Sequence, residues 1–385
     1  MKKHLVTLTI ALCGLALLSG VANSEEPKQE GKFFGKVYFD YYHDFSSTDI
    51  DPARISPAGQ KNGFEFTRFY FGYDRDIAQN FSMRFLMDAD FDKEYKLEQT
   101  GTNLVSLVDD NGDTVSIPMP VYTLKESSRS FRPFLKNAYL AMNCKLVEGA
   151  KWYFGMIPMP FVGVPENHWG YRSLYKLPMD QAGWGNTADI GVGWKGMWQD
   201  MYQVEFAVAN GAGFKNPEAD MFKLIELRPT AYLLEKALTV SALGSYEALN
   251  DSSNALILAL MAGYDQKFFR VGGEYSMRSV SDGYVDSNGD LTSLKQNNLS
   301  FWLHVKPTEK FTVLGRYDLY EPNTDLEKDK TSALIAGVDF HPVKNVHFVP
   351  NIQMQMNELD DDPNTTDADE SAPINTAYVT FEYNW

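Results

Sequence analysis

The sequence predicts an all-β transmembrane protein, an antiparallel up-and-down β-barrel of about sixteen strands. Three observations carry this. Segments of about ten residues with period-two polarity recur from end to end, and the connectors between them are alternately short and long. The chain also closes on "INTAYVTFEYNW", which alternates up to a tryptophan. There Ala377, Val379, Phe381, Tyr383 and Trp385 share one face, and Thr376, Tyr378, Thr380, Glu382 and Asn384 share the other. The apolar face becomes more aromatic toward its end. In hydrocarbon every backbone donor and acceptor needs a partner, so this last strand is expected to pair with the first and close the sheet.

The elements follow in order. "FFGKVYFDYYH" (33–43) precedes a polar loop, and "GFEFTRFYFGY" (63–73) turns through "DRDIAQN" into "FSMRFLMDADF" (81–91). A long loop is expected from there to Pro133. "FLKNAYLAM" (134–142) then turns into "AKWYFGMI" (150–157), and a second excursion, 158–187, leads to "ADIGVGWKG" (188–196). The later segments lie at 201–210, 222–233, 237–247, 254–264 and 267–277, then at 297–306, 310–320, 332–341, 345–356 and 374–385. "MWQD", "DQ" and "PVK" are tight turns at one end, and the longer loops fall at the other. That asymmetry matches short periplasmic turns and long outer loops. Fourteen and eighteen strands are the neighbouring even counts.

Residues 1–24 read as an export signal. Lys2 and Lys3 give the positive start, Leu5–Leu18 the apolar run, and Ala22-Asn23-Ser24 a small-residue cleavage site. A short tail, 25–32, precedes the single barrel over 33–385. Cleavage takes 24 residues from 385 and removes two lysines and no acid, leaving 33 basic against 51 acidic side chains. This acidity excludes a nucleic-acid binder held by a basic surface. Only Cys144 survives processing, so no intrachain disulfide is available. No later stretch is apolar over the roughly 20 residues a spanning helix needs; "ALILALMAGY" (255–264) is about half that.

A soluble sandwich would be aliphatic on one face of each strand and dry inside. Here the apolar set is aromatic near strand ends: Trp152, Phe154, Trp194, Tyr202, Phe301, Phe311, Phe381, Tyr383 and Trp385. Such rings suit a lipid–water boundary. The opposite set alternates charges, as in Arg84, Asp88 and Asp90 or in Arg270, Glu274 and Arg278. Burying so many would cost several kcal/mol each unless paired. A water-filled lumen accommodates them.

Several stretches, taken in order, resemble the phosphate-selective porin O and P family. They are "FEFTRFYFGYDRDIAQNFSMRF", "KNAYLAM", "KWYFGMIPMPF", "YRSL", "TADIGVGWKG" and "FAVANGAG". The layout is similar over roughly 30–385 and the specific residues over about 64–230. The resemblance implies an outer-membrane barrel, a homotrimer, and a third loop that folds inward and narrows the pore. By that resemblance the constriction is 158–187. The loop's own composition also predicts order: Pro158, Pro160, Pro165 and Pro178, with Phe161, Trp169, Tyr171, Tyr175 and Trp184 to pack against a wall. The alternative is a compact external loop covering the rim. The terminal aromatic Trp385 resembles the signal that barrel-assembly machinery recognises.

Selectivity in such channels comes from charges along the narrow zone. Alternation puts Arg68, Arg84, Lys136, Lys151, Arg228, Arg270 and Arg316 on the lumen side, with Asp88 among the acids there; the loop adds Glu166, His168, Arg172, Lys176 and Asp180. The family's anion chemistry rests on wall arginines and lysines at the narrowing, and the resemblance implies that Arg68, Arg84 and Arg172 stand in for some of them. The interleaved acids favour a weakly selective path for small hydrophilic solutes or ions over a phosphate or oxyanion channel. Each such charge also reads simply as part of a solvated, salt-bridged wall. The acidic stretches "VDDNGDT", "VDSNGDL" and "ELDDDPNTTDADE" lack full calcium-loop spacing and read first as turns.

No enzyme is expected. Histidines are few, no Gly-x-Ser-x-Gly occurs, and no catalytic, metal or cofactor site is assigned. A plugged siderophore-type transporter would need about 22 strands, too many for this length. A non-conducting structural or adhesive barrel is the remaining rival. With no nucleotide-binding loop or coupling device, transport is expected to be passive, across an outer membrane whose lipid surrounds the barrel.

Overall fold

The computed structural model describes residues 30–46, 61–108, 114–285, 289–326, 329–358 and 373–385. The expected export signal, most of the short tail and the centres of the three acidic stretches lie outside them. Sixteen antiparallel strands form one closed barrel. They are β1 (Lys32–Asp44), β2 (Asn62–Ala78), β3 (Phe81–Val108), β4 (Thr114–Asn143), β5 (Lys151–Pro158) and β6 (Ala188–Trp198). Next come β7 (Tyr202–Ala209), β8 (Leu224–Leu233), β9 (Leu238–Ala248), β10 (Asn254–Asp265) and β11 (Phe269–Val285). β12 (Leu291–Thr308), β13 (Phe311–Glu321), β14 (Thr331–Val343), β15 (Val346–Asn357) and β16 (Ile374–Asn384) complete the wall. Two short helices, α1 (Gly163–Trp169) and α2 (Pro178–Gln181), lie between β5 and β6. No helix among the described residues is long and apolar enough to cross a membrane.

Each strand pairs with its sequence neighbour, and β16 closes on β1 in register from Lys36↔Asn384 to Asp44↔Thr376. Beyond that register, Gly35 and Trp385 exchange both backbone hydrogen bonds, each at 3.2 Å. A Cβ on Gly35 would lie 2.0 Å from the Trp385 ring, so the seam needs glycine there. Phe39 and Phe381 stack across it with centroids 4.4 Å apart and an interplanar angle of 2°.

The outward face is apolar, as the alternation predicts: Tyr202, Phe301, Phe311, Tyr383 and Trp385 are all exposed. β10 explains the run that most resembles a buried helix. Its Leu256, Leu258 and Leu260 point outward, while Ile257, Ala259 and Met261 are buried inside the barrel. Both faces of that strand are apolar because a loop covers its inner side.

One expected loop is absent. The stretch from 92 to 133 continues the hairpin: β3 is 28 residues long and β4 is 30, paired out to Val108↔Thr114. Crossing a bilayer takes about 9–11 residues, so most of this hairpin exceeds the span. Its sequence shows no apolar alternation because strand beyond the membrane has no lipid to face.

The loop between β5 and β6 folds into the lumen, and the barrel's core lies between this loop and one side of the wall. Phe161, Trp169, Leu177, Met179 and Trp184 from the loop are buried against Ile257, Met261, Trp302, Leu314 and Ile335.

Candidate functional site: the lumen narrowed by the loop

The inward loop starts where β5 ends at Pro158. Pro178 at the first position of α2 presets the helical φ, and Gly170 ends α1 at φ 78 with its N–H on the Glu166 carbonyl at 2.8 Å. Trp169 Nε1 donates to the Tyr175 carbonyl at 3.2 Å, which folds the tip back on itself.

Wall side chains then fasten the loop by its backbone. Arg228 Nε donates to the Pro160 carbonyl at 2.5 Å, and its Nη2 donates to the Phe161 carbonyl. Arg270 Nη1 reaches the His168 carbonyl at 3.1 Å while its other nitrogens hold Asp265. Arg316 donates to the Lys176 carbonyl at 2.8 Å, pairs with Asp318 at 2.7 Å, and lies 5.0 Å above the Trp169 ring. Gln353 Nε2 reaches the Leu174 carbonyl at 3.1 Å, and Tyr171 Oη donates to Asp339 Oδ2 at 3.0 Å. Five wall residues, one each on β8, β11, β13, β14 and β15, hold the loop in this way on one side of the barrel. A charged donor on a carbonyl in a desolvated seat is among the stronger hydrogen bonds available.

His168 completes the seat. Trp302 Nε1 donates to its Nδ1 at 3.0 Å, and the ring lies over Gly263, where a Cβ would come within 2.3 Å of Nε2. Burial first, then the Arg270 charge, push this imidazole down to about 4, so it is neutral at pH 7.

The opposite side of the lumen stays open. A space of about 220 Å³ lies between the loop tip and the seam, lined by Tyr38, Asp40, Arg68, Arg172, Lys176 and Tyr378 among others. Arg68 and Lys136 share Asp88, at 2.8 and 3.3 Å. Arg172 bridges Glu166 and Asp180 within the loop, each at 3.1 Å. Lys176 makes no ion pair among the described residues. Burial lowers its pKa, opposed by Asp180 and reinforced by the charges of Arg172, Arg68 and Lys215. Nearer the end that carries the short turns, a second space of about 310 Å³ is lined by Arg75, Arg84, Lys151, Asp74 and Asp76. There Arg84 and Asp74 form a bidentate pair, with contacts of 2.6 and 2.5 Å.

The charges expected along one solvated wall therefore fall into two groups. Arg68, Arg84, Asp88, Lys136 and Lys151, with Arg172, Lys176, Glu166 and Asp180 of the loop, border or approach the open side. Arg228 and Arg316 are buried, Arg270 is partly so, and all three bind loop carbonyls; His168 faces the seat. Alternation locates the lumen face, and only the path of the loop divides it. One further group has no signal in the sequence pattern: Asp339, His341 and His347 come together on the inner face of β14 and β15.

No protein-family profile and no curated protein matches the sequence. Solved structures do match the fold. The outer-membrane channel DcaP of Acinetobacter baumannii has a TM-score of 0.57 at 13% identity, covering 94% of this chain and 99% of that one. An anion-selective porin from Comamonas acidovorans has 0.57 at 10%, covering 92% and 99%. Salmonella typhi OmpF, solved with daunomycin, has 0.57 at 12%, covering 92% and 97%. At these identities the likeness is one of architecture. The chain has the fold of outer-membrane porins: a closed sixteen-stranded antiparallel barrel with an inward loop.

Proposed function

We propose that the chain is an outer-membrane porin, a water-filled channel through which small hydrophilic solutes or ions diffuse passively. The observation that carries this reading is the one-sided seating of the loop. It fills part of the lumen and leaves a space of about 220 Å³ beside the seam, lined by Arg68, Arg172 and Lys176 together with Asp40 and Glu65. Facing charges of both signs favour weak selectivity, because a carboxylate beside the path repels anions about as strongly as an arginine attracts them. On this reading the barrel assembles as a homotrimer in outer-membrane lipid, exported by residues 1–24 and recognised by assembly machinery through Trp385. Its short turns face the periplasm and its long β3–β4 hairpin faces outward.

A second reading is a preference for phosphate or other oxyanions, in keeping with the O and P family resemblance. It is favoured by one observation: Lys176 sits on the narrow loop within the field of Arg172, Arg68 and Lys215. Purified protein in planar bilayers tests both. Stepwise conductance with a small reversal potential in a salt gradient supports the weakly selective channel. A strongly anionic reversal potential with phosphate block of chloride current supports the oxyanion reading. Absence of current overturns both.

A further inference from the structure

We propose that Asp339, His341 and His347 form a binding site for a divalent transition-metal ion, of which Zn²⁺ is the natural probe, on the inner wall beside the β14–β15 turn. His347 Nδ1 lies 3.0 Å and His341 Nδ1 lies 3.2 Å from the same oxygen, Asp339 Oδ2. The donor atoms of all three side chains lie within 4.8 Å of one another. Zinc bound to imidazole and carboxylate at about 2.0–2.2 Å holds neighbouring donors about 3.3–3.5 Å apart in a tetrahedron. The two histidine–carboxylate distances, 3.0 and 3.2 Å, already lie near that spacing.

The hydrogen bonds call for a positive charge between ring and carboxylate, a place that a proton or a metal ion can fill. His347 Nε2 lies 3.2 Å from the Lys344 carbonyl, which only accepts, so Nε2 carries a proton. Nδ1, 3.0 and 3.1 Å from the two Asp339 oxygens, then faces the carboxylate either with a proton, as an imidazolium ion pair, or with a lone pair that a metal ion takes in the proton's place. His341 Nδ1 is buried and makes no hydrogen bond of acceptable geometry among the described residues, although it is 3.2 Å from Oδ2. Two imidazole nitrogens thus converge on one oxygen, Asp339 Oδ2, which also accepts from Tyr171 Oη. The His347–Lys344 bond is also the usual outer support of a metal-bound histidine, fixing tautomer and ring orientation.

Charge and access agree with this assignment. Glu382 is the cross-strand partner of His347, adding a second carboxylate, itself paired with Lys36 at 3.1 Å. Asp339 is almost fully buried, whereas the His341 and His347 side chains keep 21% and 23% of their surface open. An ion therefore reaches the histidines and finds the carboxylate behind them. Tyr171 of the inward loop donates to the same Oδ2, so the site shares an atom with the loop's anchorage. A mixed imidazole–carboxylate set suits zinc, nickel or copper better than calcium or magnesium.

The test is zinc titration calorimetry on the signal-processed chain, without an affinity tag, folded in detergent. One Zn²⁺ per chain is expected in the wild type. His341→Gln and His347→Gln should each weaken binding by at least about tenfold, and His43→Gln should leave it unchanged. No saturable uptake by the wild type, or equal uptake by a folded His341→Gln/His347→Gln double variant, overturns the site. A second measurement needs no variant: added Zn²⁺ should protect His341 and His347 from carbethoxylation, read by peptide mass spectrometry. Equal labelling with and without zinc overturns the proposal even if the variants fail to fold.

Discussion

Arg316 and Lys176 are joined through the main chain: the wall guanidinium donates to the lysine's own carbonyl at 2.8 Å. One residue is fixed to the wall from behind while its side chain stays on the open side with Arg68 and Arg172. The loop is thus a plate bolted along one edge. Its backbone meets the wall's arginines, and its charged side chains are left for the passage.

Loosening that edge should change the channel. Arg316→Ala removes the bond to the Lys176 carbonyl and leaves Asp318 buried without its ion-pair partner. Breaking a buried pair on one side costs about 3–5 kcal/mol. The expected outcome is a lower unfolding midpoint together with larger, noisier single-channel currents. Unchanged conductance in a folded variant would show that the loop is held without Arg316.

Reversing the loop's charge should move selectivity. Lys176→Glu places a carboxylate where a lysine now adds its positive charge to those of Arg172, Arg68 and Lys215. A unit charge about 4 Å from the path contributes about 1–4 kcal/mol between bulk-water and near-surface dielectrics. The anion-to-cation permeability ratio should therefore fall by about tenfold or more. Reversal potentials in a potassium chloride gradient measure it.

The same lysine gives a signed pH dependence. Its pKa lies below the ordinary lysine value, so it discharges before exposed lysines do as pH rises. Anion preference should decline in the alkaline range ahead of ordinary lysine titration, and Lys176→Arg should abolish that decline. A flat profile in the wild type would separate Lys176 from the ion path.

Acid should act on the seat. His168 Nδ1 accepts from Trp302, so a second proton on the ring would set two donors against each other. Because the folded pKa is depressed to about 4, the unfolded chain binds more protons below the ordinary histidine value, about 6.5. The seat's stability is thus fully present above that value and falls as pH drops from about 6.5 toward 4. Currents should grow less steady over that window, and His168→Gln, which cannot titrate, should flatten the change.

Much of this architecture was legible in the residues. Period-two patterning located all sixteen strands over their lipid-facing parts, β3 from Phe81 and β4 up to Met142 among them. It failed over 92–133, where β3 and β4 run on without a lipid face. It also identified Arg228 and Arg316 as inward-facing but not as buried, since burial depends on a loop whose path no strand period encodes. "ALILALMAGY" held the missing clue, for an inner face of Ile257, Ala259 and Met261 has a use only if something apolar lies on it. His341 and His347 flank a turn, and only the hairpin register brings them to one carboxylate.

Because the plate is bolted to strands of β8 to β15 and stops short of the join between first and last strands, Tyr38, Asp40 and Tyr378 border the remaining space while belonging to the two strands that complete the cylinder. Closure and permeation therefore draw on one set of side chains. A substitution there that disturbs how the ends meet also reshapes the doorway, and Gly35→Val, which drives a side chain into the Trp385 ring, should reduce heat-resistant folded material on gels by closing that join badly.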